Sequence, residues 1–416
     1  MGMGSKSRER QDAPSLQSGP KAATMRSKGI PNETDGGFGD MSEPIYLDHN
    51  ATTPLLPEVV AAMLPFLREH FGNPSSGHVF GQRARDAVET ARGQVAALIG
   101  AGPAEIVFTS GGTEANNLAI RGSTAARSGK KHLITSAIEH PATTQPCRLL
   151  ERRGWAVSWL GVDERGRVRE QELRRALGHG TALVTLMHAN NETGTLQPIA
   201  EVARWVHDAG ALLHSDAAQS VGKVEVRVDA LGVDLLSIAG HKLYGPKGVG
   251  ALYVRGGVEL EPVLRGAGHE RGLRPGTENV AAIAGLGAAS EIAAAALDAE
   301  SARLRALRDE LWARLEAQVP GIALNGHPSL RLPNTLNVRF PGVAGSAVLA
   351  GAPQLAASTG SACHAGGETA SAVLLAMGLP ADEALGSVRL SLGRATTRDD
   401  IQRAAEQLAR AWSALT

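Results

Sequence analysis

From Ile45 onward, short apolar runs alternate with longer stretches that carry apolar residues at helical spacing. Glu105 to Thr109 (EIVFT), Lys131 to Ser136 (KHLITS), Ala182 to Met187 (ALVTLM), Ala211 to Ser215, Asp234 to Ile238 and Gly250 to Val254 read as strands. Glu58 to His70, Arg83 to Ile99 and Ile199 to Ala209 read as helices between them. A helix inserted between two strands returns the chain so that the second runs parallel to the first. The alternation therefore predicts an α/β fold, with a mostly parallel sheet covered by helices on both faces.

The two ends of the chain break this rhythm. Residues 1–44 are rich in Ser, Gly, Pro, Lys and Arg without apolar periodicity, and are expected to be a disordered tail. They lack the apolar core of a secretory signal, and Glu9, Asp12 and Asp35 argue against a transit peptide. Ala281 to Val319 reads as one long helix or two leading out of the first domain. Thr335 to Phe340 and Val388 to Leu392 read as weaker strands, and Thr397 to Ala414 as a closing helix. The expected division is a large domain over 45–300, whose first segment is free to pack with the second, and a smaller α+β domain over 301–416.

Composition removes several function classes. The 42 Lys and Arg balance 42 Asp and Glu, which argues against broad nucleic-acid binding. At 3% of residues, aromatic side chains are too few for stacking platforms. No apolar run approaches the roughly 20 residues that span a bilayer, so no membrane partner is expected. Cys147 and Cys363 are the two cysteines, too few for a disulfide scaffold or a four-thiolate zinc site, and no metal is expected.

The polar residues that interrupt the pattern fall just after the apolar strands, where open α/β sheets bind ligands. Lys242 follows the strand ending in Ile238, Asp216 follows ALLHS, and Thr109-Ser110-Gly111-Gly112-Thr113-Glu114 joins EIVFT to a helix. His140 follows KHLITS, and Asn190-Asn191 follow ALVTLM. Singly, each has a plain structural explanation: a snorkelling lysine, an N-cap aspartate, an ordinary turn. Together they suit pyridoxal phosphate. That cofactor needs a lysine for a Schiff base, a carboxylate at its pyridine nitrogen, and a glycine-rich helix start for its phosphate.

In order along the chain, SGGTEANN, EHPA, NNETG, DAAQS, GHKLYGPKG, RPGTEN and STGSACHAGG resemble the cysteine desulfurase and selenocysteine lyase group of the class V aminotransferase fold. Tyr46 to Pro54 (YLDHNATTP) and Gly72 to Ser76 are similar to that group as well. The resemblance implies a Schiff-base role for Lys242, a pyridine-nitrogen contact for Asp216 and ring stacking for His140. It implies that Asn191 and Gln219 hydrogen-bond near the ring hydroxyl and that Gly112, Thr113 and His241 hold the phosphate. Thr277 would reach the phosphate of a neighbouring subunit, implying a homodimer, and Arg389 would bind the substrate carboxylate.

The same resemblance makes Cys363, among small and Gly-rich neighbours, the thiolate that takes sulfur from L-cysteine, while Cys147 reads as packing. The expected reaction yields alanine and a persulfide on Cys363 for an acceptor protein. A free thiol of this kind implies a reducing compartment, the cytoplasm. Two departures from the desulfurase pattern, Ala239 before Gly240-His241-Lys242 and the pair Cys363-His364, point toward selenocysteine lyase as the alternative. Another fold-type I aminotransferase is the third reading.

Overall fold

The computed structural model describes residues 1–2, 44–127, 129–360 and 369–416. Most of the expected tail lies outside the described residues, and so do Cys363 and His364.

The strands are β1 (Ile45–Tyr46), β2 (Ile106–Thr109), β3 (His132–Ser136), β4 (Ala156–Leu160), β5 (Thr181–Met187), β6 (Leu212–Asp216), β7 (Leu235–Ala239), β8 (Gly250–Val254), β9 (Ala323–Leu324), β10 (Thr335–Arg339), β11 (Leu355–Ala356) and β12 (Ser387–Ser391). A 7-stranded sheet has the order β2-β8-β7-β6-β5-β3-β4. It is parallel except at β8, which pairs antiparallel with both neighbours. All of β5 is buried, as expected for a strand covered on both faces. The sequence pattern missed β4, a short and only partly buried strand in which Ser158 interrupts the apolar run. It also ended β6 one residue early: Asp216 is the strand's last residue, not the residue after it.

One apolar core lies on one face of this sheet, joining Val88, Val95 and Ile99 of the helix Val79–Ile99 to Ile238, Ala251 and Leu286. On the opposite face a second cluster packs Leu118, Ile120 and Leu150 against Leu133, Leu183 and Leu252. A third gathers Leu336 and Val338 of β10, Leu390 of β12 and Leu408, together with Ile45 and Leu47 from the start of the described fold. β12, β10 and β9 form an antiparallel sheet, and β1 pairs with β11.

The helix Val280–Gln318 serves two of these cores. Asn279 caps its start, accepting from the Ala282 N–H at 3.2 Å. Its first half places Ile283, Leu286 and Ala289 in the first core, and its second half places Leu304, Leu311 and Leu315 in the third. Position 300/301 therefore falls inside a continuous helix, the first of the two readings of this stretch. One 18-residue window of this helix, with mean hydropathy 1.8, is long and apolar enough to cross a membrane, which corrects the reading that no run approaches that length. Alanine supplies much of that hydropathy, and 56% of the stretch is buried inside the protein, as in a core helix.

Candidate active site

The carboxyl ends of β5, β6 and β7 open on a pocket of about 460 Å³. Of the residues expected at the site, Gly112, Thr113, His140, Asn191, Asp216, Gln219, His241, Lys242 and Arg389 all line it. Thr277 does not; it is exposed, shortly before the helix Val280–Gln318. A larger cavity of about 800 Å³ holds none of these residues and is bordered by the paired ions Arg92 and Glu270.

Lys242 closes the single 3-10 turn Gly240–Lys242 that follows β7. Its Nζ donates to the backbone carbonyls of Asn50 at 2.5 Å and Ala51 at 2.8 Å. Burial, and then the charge of Arg389, lower its pKa to about 8, against the opposing pull of Asp48 and Asp216. Asp216 is held by two donors: Asn116 Nδ2 reaches Oδ2 at 2.7 Å and the Ala218 N–H reaches Oδ1 at 3.0 Å. His140 caps the helix Pro141–Arg152, its Nδ1 accepting from the Ala142 N–H at 3.1 Å. Desolvation lowers its pKa, with Lys242 acting in the same direction and Asp216 opposing, so the ring is neutral.

The opposite wall is suited to an anion. Gly111 has φ +146 and leads into the helical residues Gly112 and Thr113, whose early N–H groups have no partner within the helix. A Cβ on Gly112 would sit 3.3 Å from Ala239 Cβ, so the backbone there lies close against the end of β7. His241 faces the same space, and burial followed by Lys242 lowers its pKa to about 4.

Arg389 enters from β12. Its Nη2 donates to Asp48 Oδ1 at 2.7 Å and its Nη1 to the Asn191 carbonyl at 3.1 Å. Its Nε is buried with no hydrogen-bond partner among the described residues. Several site residues had no role in the sequence reading. Asp48 and Asn50 lie in the YLDHNATTP stretch, which carried the resemblance without an assigned chemistry. Asn116 and Glu139 sit in motifs quoted for other members. The Glu139 carboxyl is raised to about 8, chiefly by burial, although Ser136 Oγ donates to it at 2.6 Å and the Met187 N–H at 3.0 Å.

An amine of lowered pKa, a fixed carboxylate, a neutral imidazole and a backbone anion cradle are the donor set that pyridoxal phosphate requires, so the residues fit that cofactor. The fold is that of the class V aminotransferases, a generally pyridoxal-phosphate-dependent class. The family model "Aminotransferase class-V" matches residues 45–404. "Cysteine desulfurase IscS" from Dictyoglomus turgidum is 48% identical over 364 residues, covering 87% of this chain and 92% of that protein. "Cysteine desulfurase IscS" from Methanosarcina thermophila is 46% identical over 368 residues, covering 88% and 91%. Among solved structures, a "NifS-like protein" superposes with a TM-score of 0.83 at 36% identity, covering 89% of this chain and 99% of that one. "SspA in complex with cysteine" does so with 0.75 at 38% identity, covering 83% and 98%. The chain belongs to the class V aminotransferase family, among its cysteine desulfurases.

Proposed function

We propose that this protein removes sulfur from L-cysteine, forming L-alanine and a persulfide on Cys363. The observation that carries the proposal is the meeting of Lys242, Asp216 and Arg389 in one pocket beside an anion cradle. Bound there, pyridoxal phosphate supplies an electron sink for the charge that develops at the substrate α-carbon.

The protein's own residues do the rest. Gly112, Thr113 and His241 bind the phosphate. Asp216, fixed by Asn116 and the Ala218 N–H, holds a proton at the pyridine nitrogen. His140 would stack on the ring, and Asn191 and Gln219 would hydrogen-bond near its hydroxyl. Arg389 receives the substrate carboxylate, for which its planar fork is matched. Lys242 Nζ, with a pKa of about 8, takes the α-proton and returns it. The Cys363 thiolate attacks the substrate sulfur; an S–S bond forms, the Cβ–S bond breaks, and its electron pair remains with the carbon that becomes the alanine methyl. An acceptor protein then takes the terminal sulfur. Thr277, outside the pocket of its own subunit, is assigned to the phosphate site of a second copy in a homodimer. The persulfide cycle needs a reducing compartment, and the cytoplasm is the proposed location.

The test is alanine and sulfide production from L-cysteine by wild type and Cys363→Ala. Loss of both products in the variant is expected; full retention overturns the persulfide role. L-Selenocysteine is the second substrate reading, favoured by Ala239, which lines the pocket without a hydroxyl. Comparing kcat/KM for the two amino acids decides between them.

A further inference from the structure

One buried titratable side chain beside the pocket has no part in this chemistry. Lys223 is only 8% exposed and follows Gly222, whose φ is +76. Burial pushes its pKa well below the usual lysine value, and Lys242 and Arg389 push the same way. An isolated buried amine is costly, and an apolar side chain of similar length commonly serves stability as well. What an apolar residue lacks is an N–H.

Lys223 Nζ donates to Gln219 Oε1 at 2.9 Å and to Asn50 Oδ1 at 3.1 Å. A primary amide carries an acceptor on one side and two donors on the other, in nearly the same shape, so its neighbours choose its orientation. With Oε1 facing the Lys223 amine, the Gln219 NH₂ turns the other way and Nε2 donates to the Asn50 carbonyl at 3.0 Å. Asn50 is sorted likewise. Its Oδ1 takes Lys223 and Asn334 Nδ2, and its Nδ2 donates to the Asn191 carbonyl at 3.2 Å and Thr335 Oγ1 at 2.9 Å. The Asn50 carbonyl that Gln219 meets is also the one that receives Lys242.

We propose that Lys223 is a positioning residue for the cofactor: it locks the Gln219 and Asn50 amides so that Gln219 offers an N–H, rather than a carbonyl oxygen, to the ring oxygen in the pocket. This rests on the pyridoxal phosphate reading above. One Gln219 N–H meets Asn50, and the second is the donor assigned to the ligand. Without Lys223 the amide is free to turn, presenting a carbonyl oxygen that repels an oxygen anion.

The test is a double-mutant cycle on the full chain. Wild type, Lys223→Met, Gln219→Ala and the double variant are equilibrated by dialysis against graded pyridoxal phosphate. Kd is read from bound cofactor, and Tm from thermal unfolding without added cofactor. Lys223→Met is expected to fold and to raise Kd about tenfold, the scale of one hydrogen bond. In the Gln219→Ala background the same change is expected to add less than about threefold, because the amide it orients is gone. An unchanged Kd in Lys223→Met, or the full tenfold repeated in the Gln219→Ala background, overturns the positioning role. If Lys223→Met does not fold, Gln219→Glu carries the test, since it keeps an acceptor for Lys223 and removes the N–H. It also removes the donor to the Asn50 carbonyl, so its Tm is expected to fall, and it is expected to lose about tenfold in cofactor affinity; unchanged affinity overturns the proposal. Failure of wild type itself to bind pyridoxal phosphate overturns the functional reading, and is distinguished by appearing before any substitution.

Discussion

Lys242 Nζ donates to the Asn50 carbonyl at 2.5 Å, across 192 positions of sequence. The contact joins the end of β7 to the segment that follows β1. Thr53 strengthens the same seam, its N–H and its hydroxyl both donating to the His241 carbonyl at 3.0 Å. The amine is thus anchored by neutral carbonyls rather than by a carboxylate. That arrangement leaves burial and Arg389 to lower its pKa with little direct compensation.

Cofactor capture should therefore follow the neutral fraction of Lys242, because only the neutral amine is nucleophilic. The rate of pyridoxal phosphate incorporation into cofactor-free protein should rise with pH and level off above about 8. Stopped-flow absorbance across pH 6 to 10 measures this. Arg389→Gln, which removes the positive charge that lowers the pKa, should move the midpoint upward. A midpoint near that of an ordinary lysine in wild type contradicts the burial argument.

Arg389 is divided between Asp48 and the Asn191 carbonyl, with Nε unpartnered among the described residues. Arg389→Gln should lower kcat/KM for L-cysteine by about tenfold to a hundredfold, the worth of a charge-assisted pair. Most of the loss should appear in KM. Asp48→Asn should have the opposite effect on KM, since it releases the guanidinium from a competing carboxylate. Steady-state alanine formation reads both.

Cys147 is fully buried, and burial raises its thiol pKa to about 12. In a Cys363→Ala background, native protein at pH 8 should take up no iodoacetamide, and denatured protein should take up one equivalent. Intact-mass spectrometry distinguishes the two. Labelling of native Cys147 contradicts its burial.

Buried histidines weaken the fold in acid. His49, His188 and His214 are buried, and desolvation holds each near a pKa of about 4 against an ordinary 6.5. His214 is held neutral between Thr185 Oγ1 at 2.7 Å and Ser237 Oγ at 2.9 Å. Below pH 6.5 the unfolded chain binds protons at these sites and the folded chain does not. Their effect is absent above that pH, and stability falls as pH drops toward 4. The slope is about 1.4 kcal/mol per pH unit for each ring. Urea unfolding at pH 7.5 and pH 5 tests this, and His214→Gln should shallow the slope.

The alternation of strands and helices, and the chemistry placed at strand ends, were legible in the sequence because both are local. A strand's pattern lies within its own few residues, and a ligand at the carboxyl edge draws on the residues that follow. Lys242, Asp216, His140 and the Gly112-Thr113 turn could be read in this way. β4 could not, since Ser158 breaks its short, partly exposed pattern, and neither could the exact end of β6. Tertiary structure alone decided which groups sort and charge these residues. Asn116 lies 100 positions from Asp216, and Asp48 lies 341 from Arg389. Lys223 is buried, and one of its partners, Asn50, lies 173 positions away. Hydrogen-bond partners and desolvation are sums over everything a folded chain brings near an atom, and no window of sequence contains that sum.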